Sequence, residues 1–327
     1  MKTLIVTKKD IEKLLTPSVA NKTVEKAFRA YGLHQTNMPA KSYLYFEKGD
    51  LRSMPAYLHG QGFNIAGIKS VTVHPENAKY NLPTVIAVII LIDPKTGFPL
   101  AILDGTYLTS VRTGAAGAVA VKFLSRKNAR RAGFIGCGVQ ARSQLACILE
   151  VRKLKTIKIW KMCPDDTNAP SFRDWVERTY KLETIISQDI GAVTTGVDIL
   201  ITTTPSREPL VTRVSPGTHI NAIGADSKGK QEIDMKILKQ AKIIIDEWSQ
   251  ASHSGEINVP LRKKQITKKD IHAGLGDIVT GKKEGRTSDE EITLFDSTGL
   301  AIQDISCAYT VYKALKNKPG VKQIELF

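Results

Sequence analysis

The sequence predicts an α/β fold in which a domain with a parallel sheet is inserted into a second domain that mixes helices with another sheet. Three observations support this prediction. Short apolar runs separated by turns fill the chain up to about residue 104. Strands and helices then alternate from about residue 131, which is typical of a parallel sheet covered by helices. A last strand and a long apolar helix follow residue 289, and we expect this helix to pack against the first part.

The first part begins with apolar residues at helical spacing over residues 11–31. Four apolar or alternating runs follow, and the turn signals KGD, HGQG and DPKTG interrupt them. These runs are SYLYF, IAGIKSVTV, TVIAVIILI and PLAILD. Strands joined by such turns predict an antiparallel or mixed sheet.

The composition changes at about residue 109. The run SVRTGAAGAVAVKFLS is rich in Ala and Gly, which favours a helix packed closely on a neighbour. Strands are then predicted at RAGFIG, TIKIW, DILITTT, THINAIG and AKIIID, and helices at VQARSQLACILEVR and around residues 171–181. The strand EEITLF and the apolar segment that follows it complete the pattern.

A glycine-rich turn joins the first of these strands to the next helix. Its sequence, GCGVQA, places Gly136 and Gly138 where the chain must turn tightly and approach a pyrophosphate. Ala141 takes the third small position, where the helix lies close to the strand, and the helix N-terminus attracts the phosphates. The order strand, turn, helix predicts a Rossmann-type domain that binds a nicotinamide cofactor. The alternative is a glycine-rich turn in an α/β domain that binds none.

The end of the second strand bears on the choice between NAD and NADP. An acidic residue there would accept hydrogen bonds from a ribose 2′-hydroxyl, and a basic one would favour a 2′-phosphate. Lys161 follows the strand directly, which favours NADP, whereas Asp165 and Asp166 lie close enough in sequence to reach back and favour NAD. Lys161 as a solvated surface lysine is a further alternative, so the cofactor is NAD or NADP.

Composition excludes several classes of protein. The formal net charge is +15, but the basic residues are spread along the chain and aromatic residues make up only 6%, so we expect a solvated lysine-rich surface and no nucleic-acid partner. No apolar run reaches the ~18 residues of a membrane span, and no signal peptide is evident, so a cytoplasmic location is expected. The four cysteines lack the spacing of a metal site, and we expect them to be reduced and mostly buried.

Several motifs together are more specific than a Rossmann turn. They are LIDPKTGFPLAILDGTYLTSVRTGAAGAVAVKFL, GFIGCGVQARSQL, HINAIGADSKGKQEID and FDSTGLAIQDIS. With these motifs the chain resembles the ornithine cyclodeaminase/mu-crystallin family over about residues 38–310. The resemblance implies a substrate-binding and dimerisation domain (residues 1–118 and 300–327), an inserted dinucleotide-binding domain (residues 119–299), and a homodimer.

The resemblance also implies functional residues. Lys69 resembles the family's active-site lysine, and Asp226 its catalytic aspartate, with a role in general acid–base chemistry or in stabilising an iminium intermediate. Lys41, Arg52 and Arg112 are candidates to bind a substrate carboxylate, because that group favours cationic donors. Lys41 and Arg52 could instead be surface charges, and Asp226 a helix cap or turn former. Lys69 and Arg112 are exceptions, because each lies in apolar, small-residue sequence where a charge is costly unless it is paired or functional.

Arg52 decides between branches of the family. Cyclodeaminases have an acidic residue near this position to hold the distal amine of ornithine, whereas an arginine holds a carboxylate. The prediction is therefore an NAD(P)-dependent dehydrogenase that interconverts a small L-amino acid, such as alanine, with its 2-oxo acid and ammonia. Ornithine cyclodeaminase, ketimine reductase and a non-catalytic small-ligand binder are the alternatives. The resemblance adds weaker candidates for backbone or hydroxyl contacts to the cofactor: Thr113, Val139, Gln140, Thr203 and Ser297.

Overall fold

The computed structural model describes residues 2–326 of the chain and divides into two compact units. Unit 1 contains Met1–Thr113 and Leu300–Phe327, and unit 2 contains Gly114–Gly299. Unit 1 has a mixed sheet and unit 2 a parallel sheet, which confirms the predicted fold class. The roles that the sequence assigns to the two units stay predictions.

Unit 1 is built from two helices, seven strands, the first part of a long helix, and a C-terminal helix and strand. In chain order these are β1 (Thr3–Val6), α1 (Lys8–Leu14), α2 (Pro17–Gly32), β2 (Thr36–Asn37), β3 (Ser42–Phe46), β4 (Gly49–Gly60), β5 (Phe63–Val73), β6 (Val85–Ile92), β7 (Pro99–Asp104), α3 (Thr106–Leu124), which continues into unit 2, α11 (Ala301–Leu315) and β16 (Gln323–Ile324). A 3-10 helix spans Pro75–Tyr80.

The sheet of unit 1 has the strand order β16-β1-β7-β6-β5-β4-β2, with β3 paired to β4 as well. Neighbouring strands are antiparallel except β1 and β7. This agrees with the prediction of an antiparallel or mixed sheet. Helix α11 packs on β4, β5 and β6 and also on α2, so the inner face of the sheet and these two helices enclose one core.

The helical spacing over residues 11–31 corresponds to two helices, α1 and α2, with a break between them. Pro17 cannot donate a backbone hydrogen bond, and it disfavours a helical conformation in the residue before it. Thr16 is extended, and its hydroxyl accepts a hydrogen bond from the backbone N–H of Val19 at 3.4 Å. The apolar spacing continues across the break, which is why periodicity alone did not locate it.

Unit 2 alternates strands and helices after the end of α3. Its elements are β8 (Arg131–Ile135), α4 (Val139–Leu149), β9 (Thr156–Trp160), α5 (Asn168–Tyr180), β10 (Glu183–Ser187), α6 (Ile190–Thr194), β11 (Ile199–Thr202), β12 (His219–Ala222), α7 (Met235–Gln240), β13 (Lys242–Ile245), α8 (Trp248–Ser254), α9 (Asn258–Arg262), β14 (Ile271–Gly274), α10 (Leu275–Thr280) and β15 (Thr293–Asp296). A 3-10 helix spans Lys268–Asp270.

All pairings in this second sheet are parallel, in the order β10-β9-β8-β11-β12-β15-β13-β14. The strand order reverses at β8, because β9 follows on one side and β11 on the other. In open parallel sheets, ligands bind beyond the carboxyl ends of the strands at such a reversal. The turn after β8 therefore lies where a dinucleotide is expected.

Two arginines satisfy the C-terminal end of α3. The guanidinium of Arg152 donates to the carbonyls of Val121 and Lys122 and to that of Ser125, just beyond the helix. Arg286 donates to the carbonyl of Leu124 at 2.6 Å. Helix C-termini leave carbonyls without partners and carry partial negative charge, so cations there stabilise the helix end.

Candidate functional site

Lys69 lies on the inner face of β5. Side chains alternate between the faces of a strand, and Ile65, Gly67 and Val71 share this buried face with it. Lys69 is only 1% exposed, and its Nζ lies 2.7 Å from Oδ2 of Asp304 on α11. A buried ammonium group is costly unless it is paired, so this contact accounts for a charge inside an apolar layer.

Asp304 also binds Arg112, which α3 carries into the same region of unit 1. The Nε of Arg112 lies 2.8 Å from Oδ1 of Asp304, and its Nη1 donates to Oε1 of Gln303 at 2.7 Å. Asp304 is fully buried, so one carboxylate serves two buried cations. The sequence predicted Lys69 and Arg112 but did not predict Asp304 as a site residue. Asp304 is the only acidic residue of α11, and this was the available signal.

The pKa of Lys69 lies well below that of an ordinary lysine. This pKa falls from 10.5 to about 7. Burial is the largest cause, the positive charges of Arg112 and Lys41 also lower the pKa, and Asp304 opposes the change. Lys41, a third predicted cation, is therefore close enough to act on Lys69 electrostatically. A lysine with a pKa near 7 can donate or accept a proton at neutral pH, which an ordinary lysine does poorly.

Arg52, the fourth predicted cation, is 8% exposed and lies on the inner face of β4. Its Nε is 2.7 Å from Oδ1 of Asp50 and its Nη2 is 3.1 Å from Oδ2, a bidentate pair, and its guanidinium lies over the ring of Tyr43. Arg52 pairs in register with Val71, two residues along β5 from Lys69, so Arg52 and Lys69 are diagonal neighbours on one sheet face.

Sequence reasoning missed Asp50. The spacing of two residues between Asp50 and Arg52 puts both on one face of a strand, and this spacing was the available signal. In unit 1, the structure thus brings together the four predicted cations with two carboxylates that were not predicted as site residues.

In unit 2, the turn after β8 has the backbone geometry that its glycines predict. Gly136 has φ +99°, a conformation that L side chains rarely adopt, and a Cβ there would lie 2.7 Å from Oγ1 of Thr203. Gly138 has an ordinary φ, and a Cβ there would meet no described atom within 4 Å. The positive φ and the contact with Thr203 therefore explain the glycine at position 136. Neither applies at position 138, where a bound group outside the chain that approaches the backbone would explain the glycine.

Helix α4 begins directly after this turn and receives no cap from a side chain at Gly138, and its first turn has no acidic residue. Ala141 is fully buried, as expected for the position that lies against the sheet, and Val139 is 65% exposed. The first N–H groups of α4 are therefore available for an anion.

Two of the weaker candidates carry buried oxygens. Oε1 of Gln140 and Oγ of Ser297 have no hydrogen-bond partner among the described residues. Buried polar atoms are usually paired, so both oxygens fit contacts to a bound group. Thr203, in contrast, donates from its hydroxyl to the carbonyl of Gly136, and the hydroxyl of Thr113 donates to the carbonyl of Thr109. The turn, the helix start and these oxygens together fit a dinucleotide.

The basic and the acidic residue that bear on the choice between NAD and NADP both lie just after β9. Lys161 is half-buried, and its backbone N–H donates to the carbonyl of Ser187. The carboxylate of Asp166 reaches back to the N–H of Met162 at 3.3 Å and also accepts from the N–H of Asn168 at 2.9 Å. The acid that could reach back therefore does so, although its partners here are backbone groups.

Asp226 lies in the loop after β12, and its carboxylate is 2.6 Å from Nζ of Lys230. Two buried glutamates lie behind this loop. Glu232 accepts hydrogen bonds from Thr204 and Gly224, and Glu256 accepts from the backbone of Glu232. Burial raises the pKa of Glu232 to about 7 and that of Glu256 well above its usual value. Sequence reasoning missed both.

His219 has a structural role. Its ring nitrogens lie 2.9 Å from the hydroxyl of Thr293 and 2.9 Å from Oδ1 of Asn221, and burial lowers its pKa to about 3. Among residues 2–326, no group of three or more His, Cys, Asp or Glu side chains is arranged to hold a metal ion. Within the same residues, no helix is long and apolar enough to cross a membrane.

Comparisons with known proteins agree with this geometry. The model of the ornithine cyclodeaminase/mu-crystallin family matches residues 1–319. The chain is 48% identical to an alanine dehydrogenase of Archaeoglobus fulgidus, over 100% of this chain and 99% of the relative.

Two solved structures are also similar. An archaeal alanine dehydrogenase dimer with bound NAD superimposes with a TM-score of 0.95 at 48% identity, covering 100% of both chains. The Δ1-pyrroline-2-carboxylate reductase of Thermococcus litoralis, in complex with NADH and L-proline, superimposes with a TM-score of 0.92 at 37% identity, covering 99% of this chain and 100% of that one.

Proposed function

Because the chain belongs to the ornithine cyclodeaminase/mu-crystallin family, we propose that it is an NAD-dependent dehydrogenase of a small L-amino acid, with alanine as the substrate. The observation that carries this proposal is the grouping of four cations in one region of unit 1, where Asp50 fixes Arg52 and Asp304 contacts both Lys69 and Arg112. A carboxylate is bound best by several oriented cationic donors, so this group suits the carboxylate of an amino acid or 2-oxo acid.

Each cation has a distinct proposed role. Arg52 and Lys41 bind the substrate carboxylate, since a guanidinium whose plane is fixed by Asp50 presents its donors in one orientation. Arg112 holds Asp304 and, together with burial, keeps the pKa of Lys69 near 7. Lys69 then exchanges a proton with the substrate at neutral pH, and Asp226 is a second acid–base group.

The reaction is the oxidation of L-alanine by NAD⁺ and water to pyruvate and ammonium, with NADH and one proton released. The cofactor, when bound, accepts a hydride from C2 of the substrate. The chain's own residues orient the substrate carboxylate, remove a proton from its amino group and deliver protons during hydrolysis of the resulting imine. The first N–H groups of α4, with Gln140 and Ser297, are proposed to hold the dinucleotide. We favour NAD over NADP because two similar enzymes were solved with NAD or NADH.

A second candidate, reduction of a cyclic imine such as Δ1-pyrroline-2-carboxylate, is favoured by the 37% identity to an enzyme solved with L-proline. Both candidates need a held carboxylate and a proton donor, so Arg52 and Lys69 serve either. They differ in the size of the substrate and in whether free ammonia takes part.

A screen of substrates against cofactors tests the proposal. L-Alanine, L-ornithine and L-proline are each offered with NAD⁺ and with NADP⁺, and absorbance of the reduced cofactor is followed at steady state. We expect L-alanine with NAD⁺ to give the highest kcat/KM, and Arg52→Met to raise the KM for alanine. Turnover of L-proline in preference to L-alanine would establish the second candidate. Binding of NAD without turnover of any amino or imino acid would establish a non-catalytic binder.

We also propose a homodimer formed through the outer face of the unit 1 sheet. One row across this face is apolar and half-exposed, with Pro55, Ile68, Ile90 and Ile102 aligned on β4, β5, β6 and β7. A half-exposed apolar face of this kind is typical of an interface. Ile68→Asp is expected to give monomers in light scattering after gel filtration, and a variant that stays dimeric would contradict this surface.

A further inference from the structure

The ion pair between Asp226 and Lys230 has a role that the family resemblance does not assign. The Nζ of Lys230 lies 2.6 Å from Oδ1 of Asp226 and 3.4 Å from the carbonyl oxygen of Gly224. We propose that Lys230 is a positioning residue for the proposed dehydrogenase reaction, in that its contact holds the carboxylate of Asp226 in one orientation. The proposal rests on the proposed function and on the role of Asp226 in it.

The backbone around Lys230 is held independently of this pair. Asn258, at the start of α9 and 3% exposed, donates from Nδ2 to the carbonyl of Lys230 at 3.0 Å and accepts from the N–H of Gly229 at 3.0 Å. The N–H of Gln231 donates to the carbonyl of Ser206 at 3.1 Å. The lysine therefore extends from an anchored segment, and its ammonium group is presented to Asp226 from a defined position.

Glu232 fixes the other end of the same loop. Its Oε1 accepts from the N–H and the hydroxyl of Thr204, each at 2.7 Å, and its Oε2 accepts from the N–H of Gly224 at 3.0 Å. The loop after β12 is thus linked to the loop after β11 at two points. The first is at Gly224, through Glu232, two residues before Asp226. The second is at Gln231, directly after Lys230. Asp226 lies between these two points, and its carboxylate accepts from Nζ of Lys230.

The charges around this pair come from several elements. Arg207, in the loop after β11, lies toward Gly229, where a Cβ would be 3.0 Å from its Nη1. The buried acids Glu232 and Glu256 lie on the other side of Gly224. Lys230 contacts Asp226 directly, and its positive charge counteracts the negative charges of these acids. The side chains of Lys230 and Asp226 are 21% and 36% exposed, so solvent weakens their attraction and the expected effects are moderate.

Three variants separate positioning from a general structural role. Lys230→Met removes the charge, Lys230→Arg keeps it, and Lys228→Met removes an exposed lysine from the same loop as a matched control. The kcat and the KM for L-alanine with NAD⁺ are measured for each. A misplaced Asp226 carboxylate affects the chemical step more than substrate binding, so we expect Lys230→Met to lower kcat by up to about fivefold while the KM changes by less than about twofold.

We expect Lys228→Met to keep the wild-type kcat and KM, and Lys230→Arg to restore most of the kcat that Lys230→Met loses. An unchanged kcat in Lys230→Met, or a rise in KM with no fall in kcat, overturns the inference. Thermal melts of all variants identify any loss of folding. If Lys230→Met is unstable, Lys230→Arg decides: a kcat as low as that of an uncharged variant contradicts the inference. If wild-type protein oxidises no amino or imino acid, the proposed function fails first, and that outcome is distinct from an unchanged kcat in an active Lys230→Met enzyme.

Discussion

Replacing Asp304 with Asn tests the charge group of unit 1 directly. This substitution keeps the shape of the side chain but leaves Lys69 and Arg112 without the carboxylate that both contact, at 2.7 Å and 2.8 Å. All three side chains are at most 6% exposed, so water cannot replace the lost partner. Breaking a buried ion pair by removal of one partner costs about 3–5 kcal/mol of unfolding free energy, and we expect a loss in this range at pH 6.

The loss depends on pH in a defined direction. The folded-state pKa of Lys69 is about 7, so Lys69 is charged and attracted to Asp304 below pH 7 and is largely neutral above it. The stability that this attraction contributes is present at low pH and disappears as the pH rises through about 7. The cost of Asp304→Asn is therefore largest at pH 6 and smaller at pH 9, where only the pair with Arg112 is lost.

Urea unfolding of the wild type, Asp304→Asn, Lys69→Met and the double variant provides the assay. Because both single variants remove the same contact, the double variant is expected to be more stable than the sum of the two losses implies, by about 1–3 kcal/mol. Glu76→Gln is the control, since Glu76 accepts from Lys79 at 2.9 Å at an exposed site and should cost below about 1 kcal/mol. Strictly additive losses for Lys69 and Asp304, or a cost of Asp304→Asn that does not change with pH, would refute the reasoning.

Three further predictions concern unit 2. The pKa of Glu232 is about 7 in the folded chain, against 4.5 in an ordinary glutamate, so the folded chain keeps a proton that the unfolded chain releases. The free energy of unfolding should therefore fall as the pH rises from about 5 to about 8, and Glu232→Gln should flatten this slope in thermal melts. Gly138→Ala meets no described atom, so it should leave the melting temperature unchanged yet weaken NAD binding by at least about tenfold in calorimetry. Gly274→Ala is the control, because Gly274 also has an ordinary φ and a Cβ there would meet no described atom closer than 3.6 Å. Arg152→Ala exposes the carbonyls at the end of α3 and should cost about 2–3 kcal/mol in urea unfolding. A wild-type stability that does not change with pH would contradict the first prediction. An unchanged NAD affinity in Gly138→Ala would contradict the second, and an unchanged free energy of unfolding in Arg152→Ala the third.

Features that depend on local pattern were predictable from the sequence. The alternation of strands and helices indicated the parallel sheet, and GCGVQA located the turn after β8, because both follow from neighbouring residues. Even here a local residue was missed, since Pro17 and Thr16 end one helix and begin another inside a continuous apolar pattern.

Contacts between distant residues were not predictable in the same way. Asp304 follows Arg112 by 192 residues, and only the packing of α11 on the sheet of unit 1 brings it to Lys69. The pairing of Arg52 with Asp50 changes the interpretation of the arginine, because its orientation is set by a residue of its own strand. The composition gave the positive net charge of the chain but not which cations lie together. The grouping of Arg52 with Lys69 depends on the register of β4 and β5.

The central claim is that this chain transfers hydride from an amino acid to NAD and releases the reduced cofactor. L-Alanine deuterated at C2 tests it most directly: the protein is incubated with this substrate and stoichiometric NAD⁺, and the products are analysed by mass spectrometry. We predict that deuterium appears in free NADH in an amount equal to the pyruvate formed. An absence of deuterated NADH with alanine would contradict the claim. Ornithine deuterated at C2 that yields deuterated proline with only catalytic NAD would identify a cyclodeaminase instead.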